Sequence, residues 1–96
     1  MQTTRYPMPT EERRRIVQEL SQHARDLDAD AEARRNGGSH NHTVRHELLN
    51  SSAAIRLVST LIVQGNMSTR KARFWLVSTR NYMQMVQRAD RAGVIR

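Results

Sequence analysis

The 96-residue chain contains no cysteine, which excludes disulfide frameworks and thiolate zinc centres and allows a reducing compartment. Its four aromatics, Tyr6, Phe74, Trp75 and Tyr82, are too few for a β-sandwich core and suit helices better. No apolar run approaches the roughly 18 residues of a membrane span. The opening "MQTTRYPMPT" lacks the apolar core of a signal peptide, so the expected location is the cytoplasm. No phosphate-cradling Gly-Lys loop and no nucleophile elbow appears, and an enzyme is not expected.

Acid is also scarce: nine Asp and Glu stand against sixteen Lys and Arg, a net charge of +7. Fifteen of those sixteen cations are arginine, Lys71 being the exception. The planar guanidinium binds phosphate and guanine edges in bidentate fashion, so the composition favours an anionic partner. The charge is uneven. Residues 67–96 hold seven cations and one acid, a net +6, whereas residues 10–35 hold six arginines and seven acids, a net −1.

Both prolines, Pro7 and Pro9, lie in residues 1–9, which read as an extended tail. Thr10 followed by Glu11 and Glu12 predicts a helix start, with an N-cap hydroxyl and acids facing the positive end of the dipole. The helix should run to about residue 35, with Ile16, Val17, Leu20, Ala24, Leu27 and Ala31 as a narrow apolar seam. That seam needs a partner, either the rest of the chain or a second copy, and a homodimer through residues 11–35 is the expected assembly. "NGG" at 36–38 closes the helix and opens a linker over 36–43.

Beyond the linker, Thr43 is placed as the N-cap of a second helix over about 44–64, with Val44, Leu48, Leu49, Ala54, Ile55, Val58, Leu61 and Ile62 as its apolar arc. "QGN" at 64–66 ends it. The remainder reads as one long helix or as two short ones. Two β-branched residues and a serine in "LVST", 76–79, favour two: one capped by Ser68 over about 69–76, and one capped by Ser78 over about 79–92 and closed by Gly93.

Gly65, "MST" at 67–69, Val77 with Ser78, and the ending "RADRAGVIR" at 88–96 together resemble the DNA-binding helix-turn-helix, and more specifically the winged-helix family, as in MarR-type repressors or the gamma domains of DNA translocases. The resemblance covers residues 44–96, within which the family's wing has no counterpart. It implies a transcriptional regulator that reads the major groove with the helix at about 79–92 and has Tyr82, Val86 and Ala89 turned inward. On that helix Arg80, Asn81 and Gln84 are the expected base readers, because Arg pairs bidentately with guanine and Asn or Gln with adenine. Arg70, Lys71, Arg73 and Arg88 are the expected phosphate contacts, which set register and salt dependence. The expected fold is therefore all-α: a small helical bundle with a helix-turn-helix unit, 44–96, preceded by one long N-terminal helix.

The competing reading is a non-enzymatic protein-binding module, an inhibitor or adaptor of phage or mobile-element type, that sets the same basic face on an acidic protein. Phe74 and Met85 lie off the core-facing stripe and suit such a partner, whereas Trp75, Leu76, Tyr82 and Val86 belong to the core. "DLDADAE" at 26–32 imitates a calcium loop, but Ala31 stands where Gly is required and Gly37 where Glu is required. Among the histidines, His42 and His46 at i and i+4 could share a metal, completed by His40 or Glu47. The cap at Thr43 would instead leave His42 outside the helix. No cofactor is implied.

Overall fold

The structure, a computed structural model, describes residues 6–36 and 39–91, without the side chains of residues 39–41, 90 and 91. Those residues form three helices, α1 (Thr10–Ala33), α2 (Ser39–Val63) and α3 (Thr69–Arg91), with no strand. The small all-α bundle with a long N-terminal helix is what forms. Its internal division differs from the expectation.

In α1 the apolar seam appears where the three- and four-residue spacing puts it. Ile16, Leu20, Ala24, Leu27 and Ala31 are all buried, and Val17 packs at their edge. The helix is one residue longer at its start than its chemistry suggests: Pro9 is the cap residue, and the Thr10 side chain makes no capping bond. The seam is spent within the chain, against α2. Ala24 and Ala31 are small enough for α2 to come close, and the Ser52 hydroxyl of α2 donates to the Ala24 carbonyl at 3.3 Å. Dimerisation through this seam would have to displace α2.

Helix α2 begins at Ser39, so Thr43 lies inside it and does not cap it. The linker expected over 36–43 is shorter, and its Gly37 and Gly38 lie outside the described residues. The exit of α2 follows the sequence. Gly65 has φ 74, its amide bonds to the Ile62 carbonyl at 3.1 Å, and the Asn66 amide reaches the Leu61 carbonyl at 2.8 Å. This is the Schellman closure, which needs a left-handed residue that glycine supplies without a Cβ clash.

Ser68 then caps α3, its hydroxyl accepting the Lys71 amide at 3.2 Å. From there α3 is continuous through 76–79, and the break expected at "LVST" is absent. Residues 67–91 thus do not make the two helices of a helix-turn-helix. The physical reason is that Ala72, Thr79, Met83 and Val86 share a core-facing stripe across the proposed break. Burying that stripe outweighs the small helix-propensity cost of Val77, Ser78 and Thr79. Gly93, expected to close the last helix, lies outside the described residues.

The chain runs up, down, up. Val17 and Ser21 lie beside Val63 and Ser59, and Arg25 beside Arg56, so α1 and α2 are antiparallel. Glu12 pairs with Arg73 and Glu19 with Arg80, so α1 and α3 are parallel. The described part of the N-terminal tail is tied down across the far end. The Tyr6 amide bonds to the Gly65 carbonyl at 2.9 Å, Thr69 Oγ1 donates to the Pro7 carbonyl at 3.2 Å, and Met8 enters the core. Helix α1 touches both other helices more than they touch each other, and the triangle is open between α2 and α3. The radius of gyration is 15.3 Å, against about 13 Å for a compact domain of this length.

Candidate interaction face

The cationic residues singled out in the sequence divide into two groups. Arg73 donates from Nε and Nη2 to the Glu12 carboxylate at 3.0 and 2.8 Å. Arg80 makes the equivalent two-pronged contact with Glu19, Nη2 to Oε1 at 2.7 Å and Nε to Oε2. His23 Nε2 lies 3.2 Å from the same carboxylate. The Arg80 guanidinium holds the Glu19 carboxyl down at about 2, against the rise that burial alone would cause, with His23 adding to the fall. Glu19 in turn raises Arg80 above the ordinary arginine range. Both arginines pair with acids of α1 while more than half of each side chain stays exposed.

Arg70, Lys71 and Arg88 are exposed and make no ion pair among the described residues. Arg70, Asn81, Gln84 and Arg88 follow one another along the outward side of α3, with Val77 between them. Of the expected base readers, Asn81 and Gln84 share the outward side of α3, and Arg80, also exposed, is paired with Glu19 of α1. The charge is lopsided in three dimensions as well as along the chain. Seven of the nine acids belong to α1, and Glu47 is the one acid whose described side chain lies on α2 or α3.

His42 and His46 do share a face of α2, their rings 4.7 Å apart and edge to face. Among the described residues no group of three or more His, Asp or Glu side chains is close enough to hold a metal, and the His40 side chain lies outside them. No described helix is long and apolar enough to cross a membrane.

The open side of the triangle carries the feature that sequence reasoning missed. Between α2 and α3 lie two apolar depressions in line. One, about 220 Å³, is bounded by Ser51, Ala54, Ile55, Trp75, Ser78 and Tyr82. The other, about 280 Å³, is bounded by Val44, Leu48, Tyr82, Met85, Val86 and Ala89. Tyr82 stands between them, its hydroxyl 3.0 Å from Ser51 Oγ. The depressions exist because Ser51, Ala54, Ser78 and Ala89 are too small to close the gap.

Large apolar side chains of α3 stand in the open here: Phe74 is 63% exposed and Met85, which lines the second depression, 57%. Phe74 stacks edge to face on Trp75, 6.0 Å between ring centres, which fixes it beside the first depression. The spacing of Phe74 and Met85 off the core stripe was the legible part of this surface. That α2 would leave Ala54 open on the facing side was not, because it depends on how far apart the two helices stand. No family model, curated protein or solved structure matches the chain.

Proposed function

We propose that the chain is a non-enzymatic binding module, an inhibitor or adaptor, that holds an acidic protein against the face formed by α2 and α3. The observation that carries this reading is the apolar seam, with Met85 exposed in it and Phe74 exposed beside Trp75. Exposed apolar surface of this kind, rimmed by charge, is characteristic of protein contact sites. Glu47 and Tyr82 are the titratable groups lining the two depressions, so the paired acid and base of a catalytic centre has no support there. The lack of cysteine fits a cytoplasmic setting.

The test is affinity capture from nuclease-treated extract. A captured protein should be lost with Phe74→Asp or Met85→Asp and retained with Gln22→Asp on α1. Capture that survives the first two substitutions, or that disappears after nuclease treatment, contradicts the reading.

A second reading, a DNA-binding transcriptional regulator, is favoured by the outward row of Arg70, Asn81, Gln84 and Arg88 on α3. In it Arg70, Lys71 and Arg88 contact phosphates, and Asn81 and Gln84 read bases. Three neutralised phosphates predict an affinity for duplex DNA that falls with log salt at a slope of about −2.7. No binding to mixed-sequence duplex at low salt rejects it.

A further inference from the structure

We infer that the partner element seated in the α2/α3 seam is a single amphipathic helix with acidic edges, inserting two apolar anchors seven residues apart. The inference rests on the protein-binding reading above and names what that face takes.

The spacing comes from the seam itself. On α3 the two depressions are bounded by Ser78 and Thr79, then by Met85 and Val86, seven residues further on. On α2 they are bounded by Ala54 and Ile55, then by Glu47 and Leu48, the same interval in the opposite direction. Seven residues of helix advance about 10.5 Å. A helix laid along the seam therefore places residues i and i+7 in successive depressions, and residue i+3 or i+4 over the Tyr82 ridge. That middle residue must be small or able to bond the Tyr82 hydroxyl.

Size favours side chains over a compact ligand. Each depression, about 220 and about 280 Å³, is smaller than the roughly 300 Å³ at which small-molecule sites begin. The ridge divides the apolar lining into two seats, as helix-in-groove recognition does when it takes anchors at helical intervals.

Charge decides which helix. Lys71 lies on the stripe of α3 that continues through Phe74, Ser78, Tyr82, Met85 and Ala89, so a cation stands at one end of the seam. Arg70 and Arg88, on the adjoining outward side of α3, lie one helical turn from Phe74 and Met85 and flank the seam towards its two ends. Glu47 is the one acid lining the seam. The acids of α1 are on the far helix, where Glu12 and Glu19 already neutralise Arg73 and Arg80. A second copy of this chain would bring Arg70, Lys71 and Arg88 against their own kind at a net +7 for each molecule. An acidic helix meets the same rim with opposite charge.

The test uses the full chain and a designed, labelled helical peptide about five turns long, with leucine at i and i+7 and Glu or Asp along both edges. Fluorescence anisotropy compares it with a peptide carrying serine at both anchors and with one carrying lysine in place of the acids. The anchored acidic peptide should bind at least tenfold more tightly than either. Ala54→Trp or Ser78→Trp, each filling the first depression, should weaken it at least tenfold, with helix content and unfolding midpoint retained as the control for folding. Equal binding of the lysine peptide overturns the charge assignment, and indifference to Ala54→Trp overturns the seat.

A photo-crosslinking amino acid in place of Met85 separates failure of the inference from failure of the reading beneath it. If no peptide binds and residue 85 still crosslinks to a different protein, the helix inference falls and the protein-binding face stands. Crosslinks between copies of this chain replace the acidic helix by a dimer. If neither peptide nor protein is captured, both fall.

Discussion

Ser52 and Ser51 are neighbours in α2 and face opposite fates. Ser52 is buried against α1 and donates to the Ala24 carbonyl, whereas Ser51 meets Tyr82 across an open depression. The same contrast holds for alanine. Ala24 and Ala31 are completely buried where α1 and α2 close, and Ala54 is exposed between α2 and α3. Small residues let helices approach, and the approach happens only where large residues on either side interlock. Leu20, Leu27, Leu48 and Ile62 supply that interlock between α1 and α2. Facing α2 from α3, Trp75, Tyr82 and Val86 are only half-buried, and the small residues leave a groove. One side of α2 is a finished core. The other is an open apolar groove.

Matched substitutions on the two sides sharpen this contrast. Truncating the finished side has the largest effect: Leu27→Ala should cost about 3 kcal/mol in urea unfolding, while Met85→Ala should stay within about 0.5 kcal/mol. Comparable losses at both positions would mean that the seam is packed in solution. Enlarging small residues gives the reverse test. Ala24→Leu should cost about 2 kcal/mol by overpacking, and Ala54→Leu should be neutral within about 0.5 kcal/mol because it grows into open space. A loss at Ala54 equal to that at Ala24 would break the comparison.

Smaller effects follow at the edges of the bundle. Gly65→Ala places a Cβ at φ 74 and should cost about 1 kcal/mol. An unchanged stability would contradict the left-handed closure of α2. The pair of Glu19 with Arg80 contributes through pH. The folded-state carboxyl sits at about 2, below its ordinary 4.5, so the unfolded chain takes up the proton first. The stabilisation is present in full above pH 4.5 and is lost as pH falls towards 2. Glu19→Gln should flatten the acid limb in that window, and a limb as steep as the wild type's would show that α1 and α3 are not joined there.

Much of the α1 side was legible in the sequence, because its information is local and periodic. The spacing of Ile16, Leu20, Ala24, Leu27 and Ala31 states a buried stripe, Gly65 states a left-handed exit, and Ser68 states a cap. The continuity of α3 was not legible. Val77, Ser78 and Thr79 argue locally for a break, and only the packing of Thr79 and Met83 against the bundle reverses them. The commitment of Arg73 to Glu12 and of Arg80 to Glu19 was hidden for the same reason. Each pair spans 61 residues, and its formation depends on α1 and α3 running parallel in one register. Two of the five cations picked out for DNA contact are thereby drawn into the fold, and the surface left over is apolar as well as basic.

The central claim is that the α2/α3 seam is the working face of the molecule. Amide chemical-shift mapping of the isotope-labelled chain, titrated with the anchored acidic peptide, tests it most directly. The account predicts perturbations over residues 44–58 of α2 and 71–89 of α3, with the exposed face of α1 around Arg14, Gln18 and Gln22 unchanged. Perturbations centred on α1, or confined to the outward row of Arg70, Asn81, Gln84 and Arg88, would contradict it.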